Sequence, residues 1–108
     1  MIANLSGTPS RLCQVALTST PATVYTAQPV GRSAILDISV CNTTGASITM
    51  RLCIGSISTA TALIYDVSIA AHSLFQLEGF QILNISEALV ASASASGLTM
   101  TISGLERV

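Results

Sequence analysis

The chain has 108 residues and a formal net charge of −1, and only 8% of its residues are charged. An average soluble domain carries about 25% charged residues. All four cations are arginines dispersed along the chain, so no basic patch is present and we expect no direct binding of nucleic acid. The length corresponds to a single domain.

Hydrophobic residues make up half of the chain, but it contains only two Tyr, two Phe and no Trp. The core is therefore expected to be aliphatic. A free monomer with so few charges would have little to keep it soluble, so we expect partners, including copies of the same chain, to cover much of its surface. The three cysteines have no CxxC spacing, which argues against a disulfide framework.

Residues 1–11 show no clear periodicity and predict an N-terminal arm, followed by a β-sandwich domain over residues 12–108. The first seven residues, MIANLSG, lack the basic region and the long apolar run of a signal peptide. From residue 12 onwards, apolar and polar residues alternate with the period of two that is typical of half-buried strands. Residues 12–18 and 22–27 are the first two predicted strands.

The next two predicted strands flank a turn-rich loop, residues 42–46. Both strands alternate strictly, and a loop of this length predicts a β-hairpin. The expected register places Asp37 opposite Arg51 as a cross-strand ion pair. Cys41 and Cys53 are expected to face outward on the same two strands.

Two further strands are predicted at residues 62–69 and 74–78, with a longer connection towards the last strands. Residues 88–104 carry no charge, but serines alternate with apolar residues, which argues against a transmembrane helix. The pattern predicts a C-terminal hairpin with a turn at Gly97. Its core-facing residues are expected to be Leu89, Ala91, Leu98, Met100 and Ile102.

No window of the chain has the periodicity of a substantial helix. About eight short strands, with turns every eight to twelve residues, predict an all-β fold, a single antiparallel β-sandwich of jelly-roll type. No catalytic, cofactor-binding or metal-binding residues are expected. His72 stands alone in a turn, and Asp37 and Asp66 are isolated carboxylates, whereas acid/base catalysis and zinc binding need several converging groups.

Residues 24–36 read VYTAQPVGRSAIL, and residues 40–44 read VCNTT. The first run resembles the LYTAPAGKTAIV segment of small virion proteins of tailed bacteriophages, and the second resembles a segment that follows it in those proteins. The similarity continues at residues 69–73 and 82–96 and ends at residues 100–104, MTISG. It covers about residues 22–104 and consists of packing and turn motifs, with no catalytic signature.

The resemblance implies a structural role in the virion, with assembly in the host cytoplasm. The leading hypothesis is a capsid decoration (cement) protein, a homo-oligomer and specifically a trimer, which binds the major capsid protein or other virion proteins and no membrane. The alternatives are a tail, neck or fibre-associated protein and, from another class, a receptor- or glycan-binding module. Residues 1–11 and exposed strand edges are the expected contacts. The candidate interface residues are Ile2, Leu5, Arg11, Arg51 and Asp37.

Overall fold

The computed structural model describes residues 10–27 and 33–106, and for Phe80 only the backbone. This part forms eight strands and a short 3-10 turn, Thr59–Thr61, and contains no α-helix. The strands are β1 Ser10–Leu17, β2 Ala22–Thr26, β3 Ser33–Asn42, β4 Ile48–Ile54, β5 Ala62–Ile69, β6 Leu74–Leu83, β7 Ala88–Ala93 and β8 Leu98–Glu106. Nothing helical in the described ranges is long and apolar enough to cross a membrane.

The strands form two four-stranded antiparallel sheets, one in the order β1-β8-β3-β6 and the other in the order β2-β7-β4-β5. Most neighbours in a sheet are distant in sequence, as in the pairing of β1 with β8 and of β2 with β7. This is the strand order of a jelly roll, in which the chain passes repeatedly from one sheet to the other. The predicted antiparallel β-sandwich is confirmed.

The core lies between the two sheets and is aliphatic, as the composition predicts. Each strand turns alternate side chains inward, so the buried residues of both sheets meet in one cluster. The alternation is clearest in β8, where Leu98, Met100 and Ile102 are fully buried and the threonines between them are half-buried. Burial of this apolar surface is the main stabilising contribution to the fold.

The predicted hairpin of β3 and β4 is wrong. β3 pairs with β6 and β8, whereas β4 pairs with β5 and β7 in the other sheet. Asp37 and Arg51 are therefore on different sheets and do not face each other. Cys41 is exposed as expected, but Cys53 is buried. The alternation identifies which face of a strand is buried, and it contains no information about the neighbouring strand.

The predicted C-terminal hairpin is also wrong, because β7 and β8 belong to different sheets. The inward orientation of its apolar residues is nevertheless confirmed, since Leu89 and Ala91 of β7 and Leu98, Met100 and Ile102 of β8 are all buried. Strand β6 continues to Leu83 and includes the first residues of the predicted connection. Strand β1 begins at Ser10, inside the segment predicted as an arm.

Strands β3 and β8 approach each other closely where Gly104 pairs with Ile35. A Cβ atom at Gly104 would overlap the carbonyl oxygen of Ala34 and also crowd Ile35 Cα. The neighbouring register shift between Ile35 and Asp37 is a β-bulge, with Leu36 as the extra residue. This part of the sheet therefore requires glycine at position 104.

Candidate interaction surfaces

The outer face of the β1-β8-β3-β6 sheet, called the front face below, presents three rows of side chains across its four strands. In strand order, the rows are Ala16, Thr99, Cys41 and Leu74; Gln14, Thr101, Ser39 and Gln76; and Arg11, Ser103, Asp37 and Glu78. The three charged residues of the face all lie in the last row. The first row is mostly apolar, and the middle row is polar and neutral.

The polar side chains of the front face make only long hydrogen bonds with one another. Arg11 Nη1 donates to Gln14 Oε1 at 3.4 Å, and Gln14 Nε2 donates to Thr101 Oγ1 at 3.4 Å. Gln76 Nε2 donates to Asp37 Oδ1 at 3.2 Å. These distances are beyond the usual 2.9–3.0 Å for such bonds, so the face retains hydrogen-bonding capacity for another molecule.

Two like charges of the front face stand directly opposite each other, because Asp37 of β3 pairs with Glu78 of β6. Directly opposed like charges destabilise a sheet. Among the residues that the structure describes, the one ion pair is Arg51–Asp66 on the other sheet, so neither carboxylate has a cation partner there. The front face therefore carries a concentrated negative charge at one edge and Arg11 at the other.

The first row also exposes a large apolar side chain at the β6 edge. Leu74 is 59% exposed, the largest value among the exposed large hydrophobic residues of the described chain. Its neighbour in the row, Cys41, is exposed as well. Leu77 of the same strand is 36% exposed at the edge of the core. An apolar contact is therefore available at the opposite end of the face from the charged row.

The outer face of the β2-β7-β4-β5 sheet, called the back face below, carries an ion pair that is satisfied within the chain. Arg51 Nε donates to Asp66 Oδ1 at 2.6 Å, and Nη2 donates to Oδ2 at 3.2 Å. The guanidinium also lies 4.4 Å from the centre of the Tyr65 ring. These hydrogen bonds from Arg51 lower the pKa of the Asp66 carboxyl. Asp66 is the extra residue of a β-bulge and has a positive φ of 54°.

A shallow polar groove of about 240 Å³ lies beside this ion pair. Its polar lining side chains include Ser19, Thr49, Ser92 and Ser94. Ser94 Oγ already accepts a hydrogen bond from the backbone N–H of Thr49 at 3.0 Å. Pockets for drug-sized ligands typically enclose about 300–1,000 Å³, so this groove is smaller than such a site.

A partly buried polar cluster connects the two sheets at one end of the sandwich. Tyr25 Oη of β2 donates to Glu106 Oε2 of β8 at 2.6 Å and lies 2.9 Å from Ser33 Oγ of β3. Burial and the hydrogen bond to Glu106 raise the pKa of Tyr25 to about 12. These hydrogen bonds join β2 of one sheet to β8 and β3 of the other.

The described ranges bring together no group of three or more His, Cys, Asp or Glu residues that could hold a metal ion. His72 is an exposed turn residue with a positive φ of 54°. The three cysteines are free, and burial raises the pKa of the Cys13 thiol. Glu87 accepts a hydrogen bond from the backbone N–H of Asn84 at 2.7 Å.

The structure separates the predicted interface residues. Arg11 and Asp37 lie in the same row of the front face, and Arg51 lies on the back face. Ile2 and Leu5 are outside the described residues. The prediction missed Leu74 and Glu78, which complete the front face. Their exposure follows from the alternation in β6, but their place beside Cys41 and Asp37 depends on the pairing of β3 with β6.

No protein-family model and no curated protein matches the chain. Among solved structures, the chain is similar to a chain from a study of Bacillus endospore appendages, which are described there as a novel family of disulfide-linked pili. The identity is 18% over 96% of this chain and 94% of that chain, with a TM-score of 0.49. A likeness of this degree carries no information about function.

Proposed function

We propose that the protein is a structural component of a bacteriophage particle, a decoration (cement) protein on the head. In this role it binds the major capsid protein as a homo-oligomer, for which the expected form is a trimer. The observation that carries the proposal is the front face, a neutral to negative surface with an exposed leucine and weakly satisfied polar groups. Such a surface suits contact with another protein better than contact with water.

The sequence resemblance to phage virion proteins supports the same role. Many copies on a particle surface make individually weak contacts cooperative, so a small subunit stabilises a shell without a large interface of its own. The role requires no catalytic group. Asp37, expected from the sequence to be an isolated carboxylate, instead stands opposite Glu78, because β3 pairs with β6. The Tyr65 ring, the exposed aromatic of the back face, lies against the Arg51 guanidinium and offers little stacking surface for a sugar.

The proposal is tested by adding the purified protein to heads that lack it and counting bound copies per particle. Hundreds of copies, with a raised temperature of head disruption, are the expected result. A few copies, or dozens at one vertex, would instead assign the protein to the tail or neck. Absence of binding to any part of the particle would contradict a virion role, and binding to host polysaccharide would favour a receptor-binding module.

The expected contribution of the N-terminal arm is tested by deleting residues 1–9, which ends the deletion just before β1. We expect the shortened domain to retain its β-sheet circular dichroism and its cooperative unfolding. We also expect it to lose most of its head binding, because the arm is proposed to reach the neighbouring capsid protein. Full occupancy of heads by the folded, shortened protein would exclude this contribution.

A further inference from the structure

We propose that the front face pairs with the front face of a second copy of this chain. The pair is related by a two-fold axis that runs along the strands, between β8 and β3. The inference rests on the proposed function in treating the front face as an assembly surface. It goes further by naming the molecule that binds there, which is a second copy of the chain. Face-to-face packing of sheets at about 10 Å is a common arrangement within β-sandwiches.

The charged row is complementary to itself under this symmetry. Its order across the sheet is Arg11, Ser103, Asp37 and Glu78. A two-fold axis along the strands reverses the order in the second copy, so Arg11 of each copy faces Glu78 of the other. The two Arg11 side chains then meet the two pairs of opposed carboxylates, which relieves the repulsion within each pair.

The first row of the front face, which is mostly apolar, is complementary in side-chain size under the same symmetry. Leu74 at the β6 edge faces Ala16 at the β1 edge of the second copy, so a large side chain meets a small one at both ends. Cys41 and Thr99 face each other in the middle of the row. The exposed part of Leu74 is thereby covered, and the apolar contact lies at the end of the face away from the ion pairs.

The other two-fold arrangement of the same faces is much less favourable. An axis that crosses the strands would place the apolar row of one copy on the charged row of the other. Leu74 would then face Glu78, and Arg11 would face Ala16, which desolvates charges against apolar side chains. The register of the rows therefore selects the axis that runs along the strands.

The size of the front face predicts a weak pair. Four strands about 4.8 Å apart and six residues at about 3.3 Å each define a strip of roughly 19 by 20 Å. Two such strips cover about 760 Å² in total, which is below the range of about 1,200–2,000 Å² that is typical of stable specific interfaces. We therefore expect the isolated pair to be weak, with a dissociation constant no tighter than roughly micromolar. If the trimer expected above forms through other surfaces, the pairing joins two trimers into a hexamer, in which multivalency strengthens each contact.

The pairing is tested by sedimentation equilibrium of the full chain over a range of concentrations. The matched variants are Ser39→Arg, in the centre of the front face, and Ser68→Arg, at an exposed site on β5 in the other sheet. If two copies pair through the front face, Ser39→Arg halves the mass of the wild-type complex and raises its dissociation constant at least tenfold. Ser68→Arg leaves both unchanged. Circular dichroism checks that each variant is folded.

Charge reversal tests the symmetry itself. Glu78→Arg places two arginines opposite each other in the pair and is expected to halve the mass, as is Arg11→Glu. The double variant exchanges the two charges and is expected to restore the wild-type mass, because the row is again complementary. Failure of the folded double variant to recover, or single variants with unchanged mass, would overturn the pairing.

Head binding by the wild-type protein is measured separately, so that the two proposals fail independently. A protein that decorates heads but remains an odd-numbered oligomer or a monomer overturns the pairing and leaves the proposed function intact. A protein that forms even-numbered complexes sensitive to Ser39→Arg, but does not bind phage particles, overturns the proposed function and leaves the pairing intact.

Discussion

Asn42, the last residue of β3, has a fully buried side chain with four hydrogen bonds. Its Nδ2 donates to the carbonyl oxygens of Ala46 at 2.8 Å and Ile69 at 3.0 Å. Its Oδ1 accepts from the backbone N–H and the hydroxyl of Thr44, at 2.9 and 2.7 Å. One amide thus fixes the loop after β3 and joins it to β5 in the other sheet, which makes the Asn42→Asp substitution an informative test.

Asn42→Asp preserves the shape of the side chain but removes both donors. Each carbonyl left without a donor costs about 1–3 kcal/mol, and the buried carboxylate adds a charge facing two carbonyl oxygens. We expect the free energy of unfolding to fall by about 4 kcal/mol at pH 7, a large fraction of the 5–15 kcal/mol that is typical of domains. Urea unfolding followed by far-ultraviolet circular dichroism measures the difference.

The pH dependence of this loss has a definite sign. Burial and the facing carbonyl oxygens raise the pKa of the introduced carboxyl above its ordinary value of about 3.9. The destabilisation is therefore smallest below about pH 4 and grows as the pH rises through the raised pKa. Asn84→Asp, the same change at an exposed residue, is expected to cost less than about 1 kcal/mol. A loss below 1 kcal/mol for Asn42→Asp, independent of pH, would refute the reasoning.

Two further substitutions test the connection between the sheets and the tight approach of β3 and β8. Tyr25→Phe removes a hydrogen bond to Glu106 and is expected to cost about 1.5 kcal/mol at pH 8. Because the folded pKa of about 12 is raised, the wild-type protein loses this contribution between pH 10 and 12, and the gap in denaturation midpoint should narrow there. Gly104→Ala should cost about 3 kcal/mol or more, because its Cβ overlaps the Ala34 backbone, whereas Gly45→Ala, with no close contact, should be nearly neutral by thermal denaturation.

The strands were largely predictable from the sequence, because each has one face on the core and so alternates with period two. The prediction for β5 agrees with the structure at both ends, Ala62 and Ile69. Strand β6 was predicted too short because a register shift between its halves, near Gly79, interrupts the alternation. A bulge of this kind changes which residues face inward, so the alternation of apolar and polar residues is interrupted there and predicts the end of the strand.

Strand partners were not predictable, because in this fold they are set by contacts between distant parts of the chain. β3 is already paired on both edges, with β6 and β8, so β4 has no free edge to join after the short loop. The buried amide of Asn42 holds that loop in its crossing between sheets. The composition of the front face could not be predicted for the same reason. Arg11, Asp37 and Glu78 share a row only because the strands are in the order β1-β8-β3-β6.

The two outer faces differ in how their charges are satisfied, and this difference bears on how the protein is oriented in an assembly. On the back face, a bulge directs Asp66 to Arg51, and both groups are solvated and paired within the chain. On the front face, Asp37 and Glu78 repel each other while Arg11 stands at the far edge. Both arrangements are stable in solvent, but only the front face would be further stabilised by contact with a complementary charge. An assembly that covers the front face and leaves the back face in solvent therefore satisfies the charges of both.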